Sequence, residues 1–228
     1  MSIVEAAPGC IRIPFTILID KAEKAPFDFH GIRARSFVDP EMREYVPCTE
    51  RRYLGVGMGD YSIDGFPGRV GIERKSPEDF CGTLLGWERA IDTAADRAEW
   101  DTRNSVDRRK RFKNELTKLS GMECKAIVIE AEMGQIIENL PQWGVRSAAE
   151  NAKYLYATYL AWAQEFPVPW IFCPDKQVAA ITTFRVLEKF WSRHKKEHTA
   201  QRKRMLAGQY DLFSTNPLEI GETVNGNT

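Results

Sequence analysis

Apolar residues along this chain fall into short unbroken runs and longer stretches where they recur every three or four positions. The run Phe15-Thr16-Ile17-Leu18-Ile19-Asp20 predicts a buried strand, Cys124 to Ala131 a second, and Pro169 to Cys173 a third. Gly59 to Ile63 and Val70 to Lys75 predict two short strands joined by a turn through Gly65-Phe66-Pro67-Gly68. Ser76-Pro77-Glu78-Asp79 has the order of a helix start: a serine cap, a proline in the first position, acids in the first turn. The helix it opens is expected to reach about Ala98, with Phe80, Leu84, Leu85, Ile91 and Ala95 near one face. Arg108 to Leu119 predicts an amphipathic helix with Phe112, Leu116 and Leu119 inward, and Ile136 to Leu140 a helical turn before Pro141. Ser147 to Phe166 predicts a helix with Tyr154, Leu155, Tyr159, Leu160, Trp162 and Ala163 on its rich face. Another runs from Asp175 or Lys176 to His194. Strand, helix, strand, helix in the second half implies an α/β layered domain with a partly parallel sheet.

The remaining segments set the expected boundaries. Residues 1–14 read as a leader, 15–196 as the domain, and 197–228 as a basic then loosely attached tail. Phe27 to Arg52 is turn-rich, broken by Pro40 and Pro47, with room for one short element around Ile32 to Phe37. Glu99 to Arg109 is polar and reads as a loop, part of an insertion at about 87–107. The alternating glycines of Leu54 to Gly59 do not make a dinucleotide loop, which needs a strand before and a helix after them. Here the run leads straight into the Asp60 strand, where glycines permit close backbone approach.

Composition narrows the class without choosing a partner. Lysine plus arginine and aspartate plus glutamate each number 32, so any nucleic-acid surface must be local. Five scattered cysteines with no Cys-x-x-Cys pair fit reduced thiols in a cytoplasmic setting better than a disulfide frame or a zinc site. The N-terminus lacks a secretory pattern, and no stretch approaches the roughly 18 apolar residues of a membrane span. His194 and His198 stand four apart, but lysines intervene and no acid or cysteine completes a set.

The candidate chemistry lies in the two short strands. In a strand, residues two apart share a face, so Glu73 and Lys75 point one way and Arg74 the other. If the strands pair, Asp60 comes beside Glu73, and two carboxylates and an ammonium surround one small volume. Close carboxylates repel unless a cation sits between them. Mg²⁺ is the natural one, a hard ion held by one or two carboxylates plus substrate phosphate oxygens. Held by Asp60 and Glu73, it would lower the pKa of a bound water and polarise a phosphodiester oxygen. Lys75 would orient that water or stabilise charge on the phosphate oxygens. The basic face of the Arg108 helix (Lys110, Arg111, Lys113) and the stripe of Arg193, Lys195 and Lys196 are candidate phosphate contacts.

Gly59-Asp60-Tyr61, a turn, then Glu73-Arg74-Lys75 and Asp79 resembles the nuclease signature of the XPF family of structure-specific endonucleases, a branch of the PD-(D/E)xK nucleases. The family pattern is Gly-Asp-Tyr followed by Glu-Arg-Lys-x-x-x-Asp, and it is matched at Gly59, Asp60, Tyr61, Glu73, Arg74, Lys75 and Asp79. The first strand is similar to the family's as well: Asp20 and Glu23 match its two acids, and Pro26-Phe27 follows. Ala22 departs from the pattern, standing where the family has arginine. The resemblance implies a restriction-endonuclease-like α/β fold with a central mixed sheet flanked by helices. It implies a Mg²⁺-dependent endonuclease, Mn²⁺ substituting, acting on DNA at branches, flaps or forks, with no nucleotide cofactor and homodimers common. Under it Asp60 and Glu73 hold the metal, with Asp20 or Glu23 supporting that ion or a second. Arg74 pairs with a carboxylate or reaches a phosphate, and Asp79 bonds the helix start or helps orient Lys75 or a metal-bound water. The family's helix-hairpin-helix modules have no counterpart in this sequence. Two alternatives are a catalytically silent DNA-binding partner of the same fold and a four-way-junction resolvase.

Overall fold

The computed structural model describes residues 10–33, 44–66, 68–86, 108–140 and 147–214, with only the backbone of 198 and 200–214. It is a mixed α/β structure with a central mixed sheet flanked by helices. The strands are β1 (Cys10–Arg12), β2 (Ile17–Asp20), β3 (Glu44–Val46), β4 (Thr49–Arg52), β5 (Tyr61–Ile63), β6 (Val70–Lys75), β7 (Cys124–Ile129) and β8 (Trp170–Phe172). The helices are α1 (Pro77–Leu85), α2 (residues 108–120), α3 (Met133–Glu138), α4 (Ala148–Glu165) and α5 (Lys176–Ser214). The chain divides into two compact units, Met1–Trp191 and Ser192–Thr228, so α5 contributes residues to both.

The main sheet has the order β4-β2-β5-β6-β7-β8. β5 runs antiparallel to both neighbours, whereas β4 pairs parallel with β2, and β6, β7 and β8 are mutually parallel. β1 and β3 form a separate two-stranded sheet. β7 shows how the faces are divided. Cys124, Ala126 and Val128 join the core cluster under α5, with Ala180, Phe184 and Leu187. Ile127 and Ile129 join the opposite cluster with Phe80, Leu116, Leu155 and Trp162 from α1, α2 and α4. Both faces are covered, which is why the parallel strands read as continuous apolar runs.

Several boundaries differ from the sequence expectation. α1 ends at Leu85, not near Ala98, because Gly86 takes a left-handed conformation (φ 79°) and caps it. Ile91, Ala95 and the rest of the supposed insertion at 87–107 lie outside the described residues. Cys10–Arg12, in the expected leader, pairs parallel with β3 and brings Ile13 into the core. β4, with the sequence Thr-Glu-Arg-Arg, is an edge strand exposed along its length and carries no apolar signal. α5 passes His194 and continues through Ser214; residues 215–228 lie outside the described set. None of the five cysteines forms a disulfide. No described helix is long and apolar enough to cross a membrane.

Candidate active site

A close approach of backbones sets Asp60 beside β6. β5 and β6 pair antiparallel with Tyr61 opposite Ile72, and the Asp60 amide donates to the Ile72 carbonyl at 2.8 Å. Gly59 makes this fit possible: its φ is +82°, and a Cβ there would lie 2.9 Å from both the Ile72 nitrogen and oxygen. The Arg74 amide in turn donates to Asp60 Oδ2 at 2.7 Å.

The pleat of β6 then divides the charged residues. Val70 and Ile72 enter the core under α5. Glu73 and Lys75 face α1 and α2, where Lys75 Nζ donates to Glu73 Oε1 at 2.5 Å and lies 4.6 Å from the centre of the Phe112 ring. Arg74 turns to the other face and stacks on Phe27, with Cζ 5.5 Å from the ring centre. Its guanidinium pairs with two carboxylates, Nε to Glu130 Oε1 at 2.6 Å and Nη1 to Glu23 Oε1 at 3.3 Å. All three side chains of this triad are at most 10% exposed. Of the two expected roles for Arg74, the geometry shows the carboxylate pairing.

Asp60, Glu73 and Lys75 open into one cavity of about 300 Å³. Glu23 and Arg74 border it beside them, α1 contributes Asp79 and Thr83, and α2 contributes Arg108, Arg111, Phe112 and Glu115. Asp60 uses only Oδ2, and Glu73 only Oε1, in hydrogen bonds among the described residues; the Glu115 carboxylate makes none. Burial, and next the charge of Glu73, hold the Asp60 carboxyl well above the usual carboxylate range, against the Arg74 amide and the Lys75 ammonium. Burial and then Glu73 likewise push Glu115 up. Burial works against the Lys75 charge, yet Glu73, Glu115 and Asp60 outweigh it and hold the ammonium above its ordinary value. The site is therefore rich in carboxylates and has a single fixed ammonium on a ring face.

Not every sequence-predicted residue joins this cavity. Asp20 does not line it: Oδ1 accepts from the Ala22 amide at 2.7 Å and Oδ2 from the Leu54 amide at 2.8 Å, so both oxygens are occupied by backbone. Ala22, where the resemblance expects arginine, is exposed. The Asp79 amide donates to Ser76 Oγ at 3.2 Å as part of the helix cap, and its carboxylate pairs with Arg108 at 3.3 Å. Arg111 lines the cavity, whereas Lys110 and Lys113 line a separate groove of about 640 Å³ between α2 and α4. Lys113 is paired there with Glu165 at 2.7 Å. Arg193, Lys195 and Lys196 are exposed residues of the second compact unit.

Two carboxylates were missed in the sequence, Glu115 in the cavity and Glu130, the partner of Arg74. Glu115 follows Phe112 by three positions on α2 and so flanks its inward stripe. Glu130 ends the apolar run of β7; its amide donates to the Lys75 carbonyl at 3.0 Å, which places it at the sheet edge where β6 also ends. Among the described residues, no three His, Cys, Asp or Glu side chains are gathered so as to hold a metal by themselves. The residues that could hold a Mg²⁺ ion are Asp60 and Glu73, each with one carboxylate oxygen outside any hydrogen bond.

No protein-family model and no curated protein matches the chain. Two solved structures are similar: XPF from Aeropyrum pernix in complex with DNA, and XPF from Aeropyrum pernix alone. Each is 15% identical with a TM-score of 0.43. The first match covers 78% of this chain and 66% of the other, the second 84% and 73%. The chain thus spans just under two thirds of the first neighbour's length.

Proposed function

We propose that this chain is a Mg²⁺-dependent DNA endonuclease that hydrolyses phosphodiester bonds, with Mn²⁺ able to substitute, at branched, flap or fork DNA. The observation that carries the reading is the shared cavity of Asp60, Glu73 and Lys75, with an unbonded oxygen on each of the two acids. The likeness of Gly59-Asp60-Tyr61 and Glu73-Arg74-Lys75 to the XPF signature selects DNA as the substrate.

Asp60 and Glu73 would hold the ion, which supplies a nucleophilic water and charge neutralisation at the phosphate. Lys75 orients the attacking water or stabilises charge on the non-bridging oxygens from its seat over Phe112. Water oxygen bonds to phosphorus as its proton passes to solvent, the bond to the 3′ oxygen breaks, and that oxygen takes a proton from solvent. Arg74 fixes Glu23 and Glu130 behind the hairpin, and Arg111 offers a cation at the rim. Asp20 holds backbone and is given no place in ion binding.

A catalytically silent DNA-binding module is favoured by one observation: the Lys75 ammonium is already paired with Glu73. Nicking assays with Mg²⁺ on labelled fork, flap, four-way-junction and duplex DNA decide between them. Cleavage by the wild type and its loss in Asp60→Ala are expected. Equal inertness of both proteins, with DNA still bound, establishes the silent module, and cleavage confined to the four-way junction makes the chain a resolvase.

A further inference from the structure

Three carboxylates act on the Lys75 ammonium inside the cavity: in order of strength, Glu73, Glu115 and Asp60. An ammonium has three N–H donors, and among the described residues Lys75 uses one, on Glu73 Oε1. Two of the three acids, Asp60 and Glu73, are the residues that could hold an ion. Once they turn to a divalent cation, Lys75 shares its hydrogen-bond partner with a double positive charge, and the pair weakens. Other acids around the cavity are engaged: Glu23 pairs with Arg74 and Asp79 with Arg108, each at 3.3 Å. Glu115 lines the cavity, and its carboxylate makes no hydrogen bond among the described residues. It also stands where the ammonium is seated. Phe112, whose ring centre lies 4.6 Å from Nζ, is three positions earlier on α2, so the two share a helix face. The stem of Glu115 is held in place. A Cβ at Gly57, where φ is +75°, would lie 3.2 Å from its Cγ and 3.3 Å from its Cα. Lys118, a cation that also acts on Glu115, donates to the Val56 carbonyl in the same loop at 2.7 Å.

We propose that Glu115 is a positioning residue, which accepts the Lys75 ammonium when Glu73 engages an ion. The inference rests on the nuclease reading and deepens it. It supplies what keeps Lys75 in the cavity once the acid that now holds it is drawn elsewhere. Nζ passes from one carboxylate to the other by rotation of its flexible four-carbon stem, and every proton stays where it was. The role needs an acceptor oxygen at position 115. It needs neither a bond from Glu115 to the ion nor a negative charge as such.

The test titrates Mn²⁺ into the full chain without DNA and reads bound ion by electron paramagnetic resonance, so nothing depends on cleavage. Asp60→Ala marks the binding that belongs to this site. Glu115→Ala, which removes the acceptor, is expected to weaken that binding by ~10-fold where Lys75 is present. In a Lys75→Met background, which has no ammonium to receive, the same change is expected to cost less than about threefold. Glu115→Gln keeps an acceptor and is expected to stay within about threefold of wild type. Equal losses with and without Lys75, or equal losses in Glu115→Gln and Glu115→Ala, make the residue an ion ligand or a bare charge. The positioning role is then wrong and the nuclease reading stands, as they also are if Glu115→Ala binds like wild type. If wild type binds no more Mn²⁺ than Asp60→Ala, the proposal falls together with the metal-dependent reading beneath it.

Discussion

Ionisation of Asp60 is opposed by its burial and then by the neighbouring charge of Glu73, and both raise its pKa in the folded chain. Between the ordinary value of 3.8 and the raised folded one, the folded state keeps a proton that the unfolded chain has released. Stability contributed by this group is therefore present below 3.8 and falls as pH rises through that window. Asp60→Asn, which keeps an acceptor for the Arg74 amide, is expected to raise the melting temperature at pH 7, by about 2–4 °C per kcal/mol relieved. The gain should vanish in scans at pH 3.5 to 4. Under the proposed function the same shift would govern ion binding, since a proton and Mg²⁺ compete for the carboxylate. The acid limb of the cleavage profile is expected to move to lower pH as Mg²⁺ is raised; an immobile limb would detach it from Asp60.

At the scale of elements, the β5–β6 hairpin depends on one residue without a side chain. Gly59→Ala adds left-handed strain of about 1–3 kcal/mol, and its Cβ meets the Ile72 backbone at 2.9 Å. A melting temperature lower by about 5–10 °C is expected in calorimetry. Gly31→Ala has a similar φ of +75° but nothing within 4 Å, so it should lose less. This contrast also marks what the sequence made legible. Strands β2 and β7 were readable because apolar runs buried on both faces leave an unbroken record; half-buried β8 was readable from its apolar run alone, as was the hairpin from its Gly/Pro turn. β4 was not, because an edge strand of Thr-Glu-Arg-Arg borrows its form from pairing with β2. In the site, Asp60, Glu73 and Lys75 were visible because strand alternation fixes their common face. Glu115 and Glu130 come from segments brought alongside only by packing, and no local spacing announces them. Asp20 shows the opposite failure. The residue was singled out, but its backbone partners Ala22 and Leu54 could be found only in the folded chain.

For the whole molecule, equal numbers of cationic and anionic side chains leave no net charge to attract DNA, so any attraction comes from local groups. The salt dependence of binding should then be assignable to individual side chains. Each phosphate-contacting cation adds about 0.9 to the slope of log K against log salt. Arg111→Gln is expected to reduce that slope by about 1 in titrations from low to moderate salt. Lys113→Gln should change it less, because that ammonium is paired with Glu165.

The two acids and the lysine hang on a single hairpin, whose strands Tyr61–Ile63 and Val70–Lys75 pair antiparallel. Their spacing is fixed within sixteen consecutive residues, from Asp60 to Lys75. Joints elsewhere in the chain can be lengthened or trimmed with only a slow entropic penalty and no change in how far apart these groups stand. The distances among these three groups are thus set by local backbone geometry and are independent of the lengths of the segments around them.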